Sequence, residues 1–122
     1  MERGITLSGR PDGQIGGSVL VNNDSTFIMN GGTISNNTRI NGAGVAIQNR
    51  GTFIMNDGEI RDNVATGSSG GVSVGGRSTF TMNNGTIRSN TAEIGAGGVS
   101  VSADAIFTMY NGSITGNKSL RK

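Results

Sequence analysis

Apolar and polar residues alternate in short segments of the chain, and glycine, asparagine and serine separate these segments. In Val72-Ser73-Val74 and Phe80-Thr81-Met82 every second side chain is apolar, as expected for a strand with one buried face. Gly85-Thr86-Ile87-Arg88 is a third, shorter extended segment with a single apolar side chain. Apolar residues do not recur at helical spacing, and glycine is too frequent for stable helices. The pattern therefore predicts an all-β protein.

The same segments recur four times along the chain. Phenylalanines are spaced by 26, 27 and 27 residues, and a valine lies eight positions before each of them. A methionine follows each phenylalanine by two positions, and an isoleucine follows each methionine by five. The recurring residues are Phe27, Phe53, Phe80 and Phe107; Met29, Met55, Met82 and Met109; Ile34, Ile60, Ile87 and Ile114; Val19, Val45, Val72 and Val99. Internal repeats of this length predict a solenoid.

Three short strands in a unit of 26–27 residues suit one coil of a parallel β-helix, whose coils stack about 4.8 Å apart. We expect residues 1–122 to form a single domain, with coils at 16–41, 42–68, 69–95 and 96–122. Residues 1–15 are expected to form a partial coil or cap, because Leu7 precedes Val19 by the twelve positions that also separate Ile60 from Val72. In this fold like side chains stack along the rod, so phenylalanine and methionine ladders should fill the interior.

Asparagine keeps a constant phase at the predicted corners. One series follows each repeat isoleucine by three positions, at Asn37, Asn63, Asn90 and Asn117. A second series directly follows the methionines at Asn30, Asn56 and Asn83, with Tyr110 in the last position. Stacked asparagines can hydrogen-bond along the rod and satisfy the backbone of turns. We therefore interpret them as structural ladders, in preference to a polar stripe that binds a ligand.

The composition narrows the classes of function. The chain has ten Lys or Arg, eight Asp or Glu, and neither cysteine nor histidine. Without cysteine, disulfides and thiolate metal sites are excluded. Without histidine, the chain lacks the residue that most often acts as a general base or as a metal ligand. A net charge of +2 from scattered residues provides no basic stripe for nucleic acid, and the chain is too polar for a membrane span. We predict no cofactor, no metal, no nucleic-acid partner and no membrane insertion.

The repeats resemble those of right-handed parallel β-helix proteins of the pectin-lyase-like kind. Phe-Ile-Met-Asn at 27–30 and 53–56 and Phe-Thr-Met-Asn at 80–83 look like the FxxN repeat of chlamydial polymorphic outer-membrane proteins. Gly-Gly-Val-Ser-Val at 70–74 and 97–101 looks like their GGA(I/L/V) element, with Val in place of the family Ala. Further departures are Tyr110 at the last Asn position and Gly-Gly-Ser at 16–18. The resemblance implies a right-handed coil, an extracellular or cell-surface location, and the role of an adhesive stalk segment.

Some relatives of the β-helix fold degrade polysaccharides with clustered acids, so catalysis has to be considered. Only Asp57, Glu59 and Asp62 form a cluster in this sequence, with Arg61 among them. No acid recurs at the same positions of the neighbouring units, so two carboxylates about 5–9 Å apart, as in glycosidases, are not expected on one face. We predict a non-enzymatic protein without catalytic residues. A carbohydrate-interacting or degenerate polysaccharide-lyase-like module is the alternative.

The residues that flank the inward phenylalanines form an outward surface, which we call the Thr/Ile face. Its members are Thr26, Ile28, Thr52, Ile54, Thr79, Thr81, Ile106 and Thr108. Two such files on a flat sheet resemble the water-ordering surface of ice-binding β-solenoids, which makes ice binding a further alternative. Threonine and isoleucine also favour exposed strands in general, and such a face could equally contact a protein or glycan.

The ends of a β-helix expose unpaired backbone groups and the last members of its apolar ladders. Neither the N-terminal residues 1–12 nor the basic residues 118–122 form an obvious hydrophobic cap. We therefore expect a homo-oligomer, formed through the exposed coil ends or through the flat face.

Overall fold

A computed structural model of the protein describes residues 5–8 and 19–120. These residues form seventeen short strands that pair exclusively in parallel, in four sheets that run along a solenoid. Four stacked coils carry β2–β5, β6–β9, β10–β13 and β14–β17. The prediction of an all-β parallel β-helix of about four coils is confirmed. Its right-handed winding stays a prediction.

Each sheet is named here after the inward residue that characterises it. The valine sheet contains β2 (Val19–Val21), β6 (Val45–Ile47), β10 (Val72–Val74) and β14 (Val99–Val101). The phenylalanine sheet contains β3 (Thr26–Met29), β7 (Thr52–Met55), β11 (Thr79–Met82) and β15 (Ile106–Met109).

The isoleucine sheet has five strands: β1 (Ile5–Ser8), β4 (Gly32–Ser35), β8 (Glu59–Arg61), β12 (Thr86–Arg88) and β16 (Ser113–Thr115). Its first strand precedes the four coils, and Leu7 lies opposite Ile34, as the sequence spacing predicts. The rest of the predicted N-terminal partial coil or cap, residues 1–4 and 9–15, lies outside the described residues.

A fourth sheet completes each coil with a two-residue strand. This alanine sheet contains β5 (Thr38–Arg39), β9 (Val64–Ala65), β13 (Thr91–Ala92) and β17 (Lys118–Ser119). The repeat pattern predicts only three strands in each coil and does not reveal this one, because two residues are too few to show alternation. The signal is Ala65 and Ala92, which keep a constant phase and form a small buried cluster with Ala43.

The predicted ladders are present in register. Phe80 lies opposite Phe53 on one side and Phe107 on the other, and the ring centroids of each pair are 4.8 Å apart. The ring of Phe27 stacks on that of Phe53 at 5.2 Å. The methionines pair in the same strands, as Met29, Met55, Met82 and Met109. The buried members of these ladders form one continuous apolar core with those of the valine and isoleucine columns.

The corner between the phenylalanine and isoleucine sheets requires glycine. Gly85 has a φ of 108°, a conformation that is strained for residues with a side chain. A Cβ atom at this position would lie 2.8 Å from the carbonyl oxygen of Gly58 in the coil before. Both the backbone conformation and the close stacking of coils therefore explain why glycine recurs here at a fixed phase.

Candidate functional surfaces

The Thr/Ile face lies where sequence analysis places it, on the outer side of the phenylalanine sheet. Its two files run Thr26, Thr52, Thr79, Ile106 and Ile28, Ile54, Thr81, Thr108. In the two central coils these side chains are half-buried, whereas Ile28 and Ile106 in the outer coils are 47% and 61% exposed. The files mix threonine with isoleucine, so the surface offers both hydroxyl groups and apolar contacts. Ice binding by this face stays a prediction.

The acidic cluster on the isoleucine sheet is held by ion pairs with arginines. Arg61 contacts Glu59 through Nε at 3.1 Å and Asp62 through Nη1 at 2.6 Å. Arg88 in the next coil contacts the other carboxylate oxygen of Glu59 at 3.4 Å. Asp57 accepts a hydrogen bond from the backbone N–H of Gly58. The carboxylates are thus engaged at the surface, and the hydrogen bond to Asp62 raises the pKa of Arg61.

A separate ion pair, which the repeat pattern does not predict, links the first two coils. Arg50 donates through Nε to Asp24 Oδ1 at 2.9 Å and through Nη2 to Oδ2 at 3.1 Å. These hydrogen bonds lower the pKa of Asp24 and raise that of Arg50. The two residues lie 26 positions apart at equivalent corners, a relation that emerges only when the coils are stacked in register.

The asparagine series Asn37, Asn63, Asn90 and Asn117 forms a ladder inside the corner between the isoleucine and alanine sheets. The side-chain amides of the first three each donate to the Oδ1 atom of the next asparagine, at 2.9–3.0 Å. Each of the first three also donates its backbone N–H to that same oxygen. Asn37, Asn63 and Asn90 are buried, so this ladder holds the corner rather than presenting a polar stripe to a ligand.

The second asparagine series lies on the surface. Asn83 donates its side-chain amide to Asn56, and Asn56 donates to Asn30, both at 2.8 Å. The amides of this ladder donate towards the N-terminal coils, whereas those of the buried ladder donate towards the C-terminal coils. Tyr110, in the same column, is 74% exposed and ends the series.

A groove of about 580 Å³ lies on the outer side of the valine sheet, between two corners. Its floor includes the small side chains of Ala46 and Ser73, and its walls include Arg39, Asn41 and Gln48. The groove is not predicted from the sequence. Its signal in the sequence is weak, because Leu20, Ala46, Ser73 and Ser100 share one outward column without sharing a residue type.

Across the described part of the chain, no helix is both long and apolar enough to cross a membrane. The same residues contain no group of three acidic side chains placed to hold a metal ion. Comparisons of the chain with family models, curated proteins and solved structures find no significant match. The fold and the surfaces described above are therefore the basis for any functional proposal.

Proposed function

We propose that this chain is a non-enzymatic, structural or binding β-helix segment of a bacterial-type surface or secreted adhesin-like protein. The observation that carries this proposal is the uniformity of the coils. Phenylalanine, methionine, isoleucine and asparagine recur at equivalent positions of each coil and serve to stack the coils. A rod of nearly identical coils is suited to spacing and display, and it offers repeated outward surfaces for weak, multiple contacts.

The state of the acidic residues supports a non-enzymatic role. A general acid in a glycosidase has a raised pKa, and its partner carboxylate faces the same cleft. Here Glu59 contacts two arginines with its two oxygens, and Asp62 contacts one of the same arginines. The oxygens of both carboxylates are therefore engaged by guanidinium groups in place of a substrate.

The finer assignment rests on the resemblance of the repeats to the FxxN and GGxx elements of chlamydial polymorphic outer-membrane proteins. In the fold the FxxN and GGxx elements have different structural roles. The Phe and Met of FxxN fill the interior of the phenylalanine sheet, and its Asn forms the surface ladder. The paired glycines at 70–71 lie under the adjacent coil, where a Cβ at Gly71 would be 2.5 Å from the Gly98 carbonyl oxygen. We infer a right-handed pectin-lyase-like β-helix displayed outside the cell.

Adhesion can be tested with beads coated with the protein and applied to cultured epithelial cells. We expect coated beads to adhere, and a Thr81→Lys variant on the Thr/Ile face to reduce adhesion several-fold. Thr86→Lys is the matched control, because Thr86 is also half-buried and outward-facing in the same coil, but on the isoleucine sheet. Adhesion no greater than that of uncoated beads would refute the proposal, as would equal loss in both variants.

Carbohydrate binding is a second candidate function, and the groove on the valine sheet favours it. Arg39, Asn41 and Gln48 supply hydrogen-bond donors and acceptors around a floor of small residues, an arrangement that suits sugar hydroxyls. A glycan array separates the two candidates, with Ser73→Trp as the variant that fills the groove. Glycan binding that this variant abolishes would favour the carbohydrate function, and adhesion without any glycan signal would favour a protein ligand.

A further inference from the structure

Asparagine precedes glycine at four places in the chain, and this dipeptide has a chemistry of its own. The backbone nitrogen of the glycine attacks the side-chain Cγ atom of the asparagine, ammonia leaves, and a cyclic succinimide remains. Water then opens the ring to aspartate or isoaspartate. Glycine favours this reaction because it has no Cβ atom to hinder the attacking nitrogen. The four dipeptides are Asn30–Gly31, Asn41–Gly42, Asn84–Gly85 and Asn111–Gly112.

The dipeptide Asn41–Gly42 is held in an unreactive arrangement by the next coil. The Gly42 N–H group, which must lose its proton before the nitrogen attacks, donates to the carbonyl oxygen of Ser68 at 3.2 Å. Asn41 Oδ1 accepts from the backbone N–H and from the hydroxyl group of the same serine, at 3.0 and 3.1 Å. The attacking nitrogen and the carboxamide are thus both bonded to the neighbouring coil. They become available to each other only when this corner opens.

The dipeptide Asn84–Gly85 lies in a central coil and lacks these restraints. Asn84 is exposed, and within the described residues neither its side chain nor the N–H group of Gly85 makes a hydrogen bond. Asn30 differs from Asn84, because its Oδ1 atom accepts from the Asn56 amide in the surface ladder at 2.8 Å. The carboxamide of Asn84 is therefore free to turn towards the nitrogen of Gly85.

The residues at the same corner of the adjacent coils show that the side chain does turn this way. Asp57 Oδ1 accepts from the N–H group of Gly58, and Asn111 Oδ1 accepts from that of Gly112, both at 2.9 Å. In each case the side chain folds back over the nitrogen of the following glycine. Ring closure at Asn84 needs the same approach, so the shape of the corner favours the reaction.

The corner is also open to water. A cleft of about 430 Å³ runs along it and is lined by Asn84, Gly85, Asp57 and Glu59, among others. The ammonia that leaves and the water that opens the ring therefore both have access to the reacting atoms.

We propose that Asn84 is a site of spontaneous deamidation in the folded protein, whereas Asn41 is protected by the fold. The bond between the Gly85 nitrogen and Asn84 Cγ forms, the Cγ–Nδ2 bond breaks, and the proton from Gly85 leaves with the ammonia. One water molecule then adds across a C–N bond of the ring, which gives aspartate or isoaspartate according to the carbonyl attacked. The reaction needs no enzyme or cofactor, and the inference does not depend on the proposed adhesive function.

The two products should differ in their effect on the fold. Aspartate fits this corner, because Asp57 occupies it in the coil before. Isoaspartate adds a methylene group to the main chain directly before Gly85, where a Cβ atom would already lie 2.8 Å from the Gly58 carbonyl oxygen. Only the isoaspartate form should therefore disturb the stacking of the coils. Both forms add a carboxylate to the cleft that contains Asp57 and Glu59.

Peptide mapping by mass spectrometry, after incubation in warm and mildly alkaline buffer, tests the proposal within one molecule. Cleavage after arginine releases residues 40–50 and 78–88 as separate peptides, so the two dipeptides are measured side by side. In the native protein, peptide 78–88 should deamidate at least about tenfold faster than peptide 40–50, because opening the protected corner breaks several hydrogen bonds. In urea-unfolded protein the two rates should agree within about twofold, since the protection is lost on unfolding.

Two variants locate the reaction. Asn84→Gln should abolish the modification of peptide 78–88, whereas Asn83→Gln, at the adjacent ladder position, should leave it unchanged. Equal rates for the two peptides in the native protein would overturn the proposal. A peptide 78–88 that reacts only in urea, or a modification that Asn84→Gln does not remove, would overturn it as well.

The effect on the fold is measured on the products. Asn84→Asp should unfold at the same temperature as the parent protein, and the fraction of aged protein that an isoaspartate-specific methyltransferase labels should unfold at a lower one. A large loss of stability in Asn84→Asp would contradict the aspartate product assigned to this corner.

Discussion

Replacing Asn90 by alanine should strongly destabilise the protein, because the side chain of this residue makes four hydrogen bonds inside the solenoid. Its amide donates to Asn117 Oδ1 at 2.9 Å and to the Ile60 carbonyl at 3.0 Å. Its Oδ1 atom accepts from the backbone N–H of Asn63 at 3.1 Å and from the Asn63 amide at 2.9 Å. Asn63 and Asn90 are both 0% exposed.

The expected magnitude follows from the groups that lose a partner. In Asn90→Ala, two N–H donors of Asn63 remain buried without an acceptor, and each such group costs about 1–3 kcal/mol. The sum is about 2–6 kcal/mol, and we take 4 kcal/mol as the expected loss of unfolding free energy. Asn83→Ala is the control, because Asn83 belongs to the exposed ladder and water can replace its bond to Asn56. Its effect should stay below about 1 kcal/mol.

Urea unfolding followed by far-UV circular dichroism measures both variants against the parent protein. For a chain of this length, about 4 kcal/mol corresponds to a fall in Tm of ~16 °C, which thermal unfolding would register independently. A loss of unfolding free energy in Asn90→Ala no larger than that in Asn83→Ala would refute this prediction. That result would mean that the buried ladder is dispensable and that apolar stacking alone holds the corner.

Three further predictions concern the interior, a corner and a surface ion pair. Phe80→Ala should lower the unfolding free energy by about 3–5 kcal/mol in urea titrations, because the ring of Phe80 is buried between two others. Thr81→Ala, on the outward face of the same strand, should lower it by less than about 1 kcal/mol. Equal effects of the two substitutions would contradict the assignment of inward and outward faces. Ser89→Gly should raise the unfolding free energy by up to about 1 kcal/mol, since Ser89 has a φ of 57°, and a loss of stability would contradict a strained corner. Because Arg50 lowers the pKa of Asp24, their bond stabilises the fold above the ordinary value of 3.8 and is lost as the pH falls through the depressed value. The Tm difference between Asp24→Asn and the parent should therefore be small at neutral pH and vanish in acid. A difference that grows in acid would mean that folding raises, rather than lowers, the pKa of Asp24.

Much of the interior can be predicted from the sequence because each inward column repeats one residue type. Phe53 and Phe80 are 27 positions apart, and this interval alone is sufficient to place one ring over the other. The outward Thr/Ile face follows from the same register, because side chains alternate between the two sides of a strand. The buried asparagine ladder is predicted in the same way, although its full burial is not.

Features that combine different residue types from different coils cannot be predicted from the repeat pattern. Asp24 and Arg50 occupy equivalent corner positions but have opposite charge, so no repeat marks their pairing. The groove over Ala46 and Ser73 is also lined by Arg39 and Gln48, which belong to different coils and differ in residue type. The two-residue strand at Thr91–Ala92 is stabilised by backbone pairing with its neighbours and has no local pattern of its own.

The amino-acid sequence by itself determined the length of the coil, the parallel stacking and the identity of the interior ladders, because a period of 26–27 residues brings like side chains together. Only the tertiary structure decided which polar residues are buried and how the surface charges pair. Burial and pairing depend on the positions of atoms in neighbouring coils.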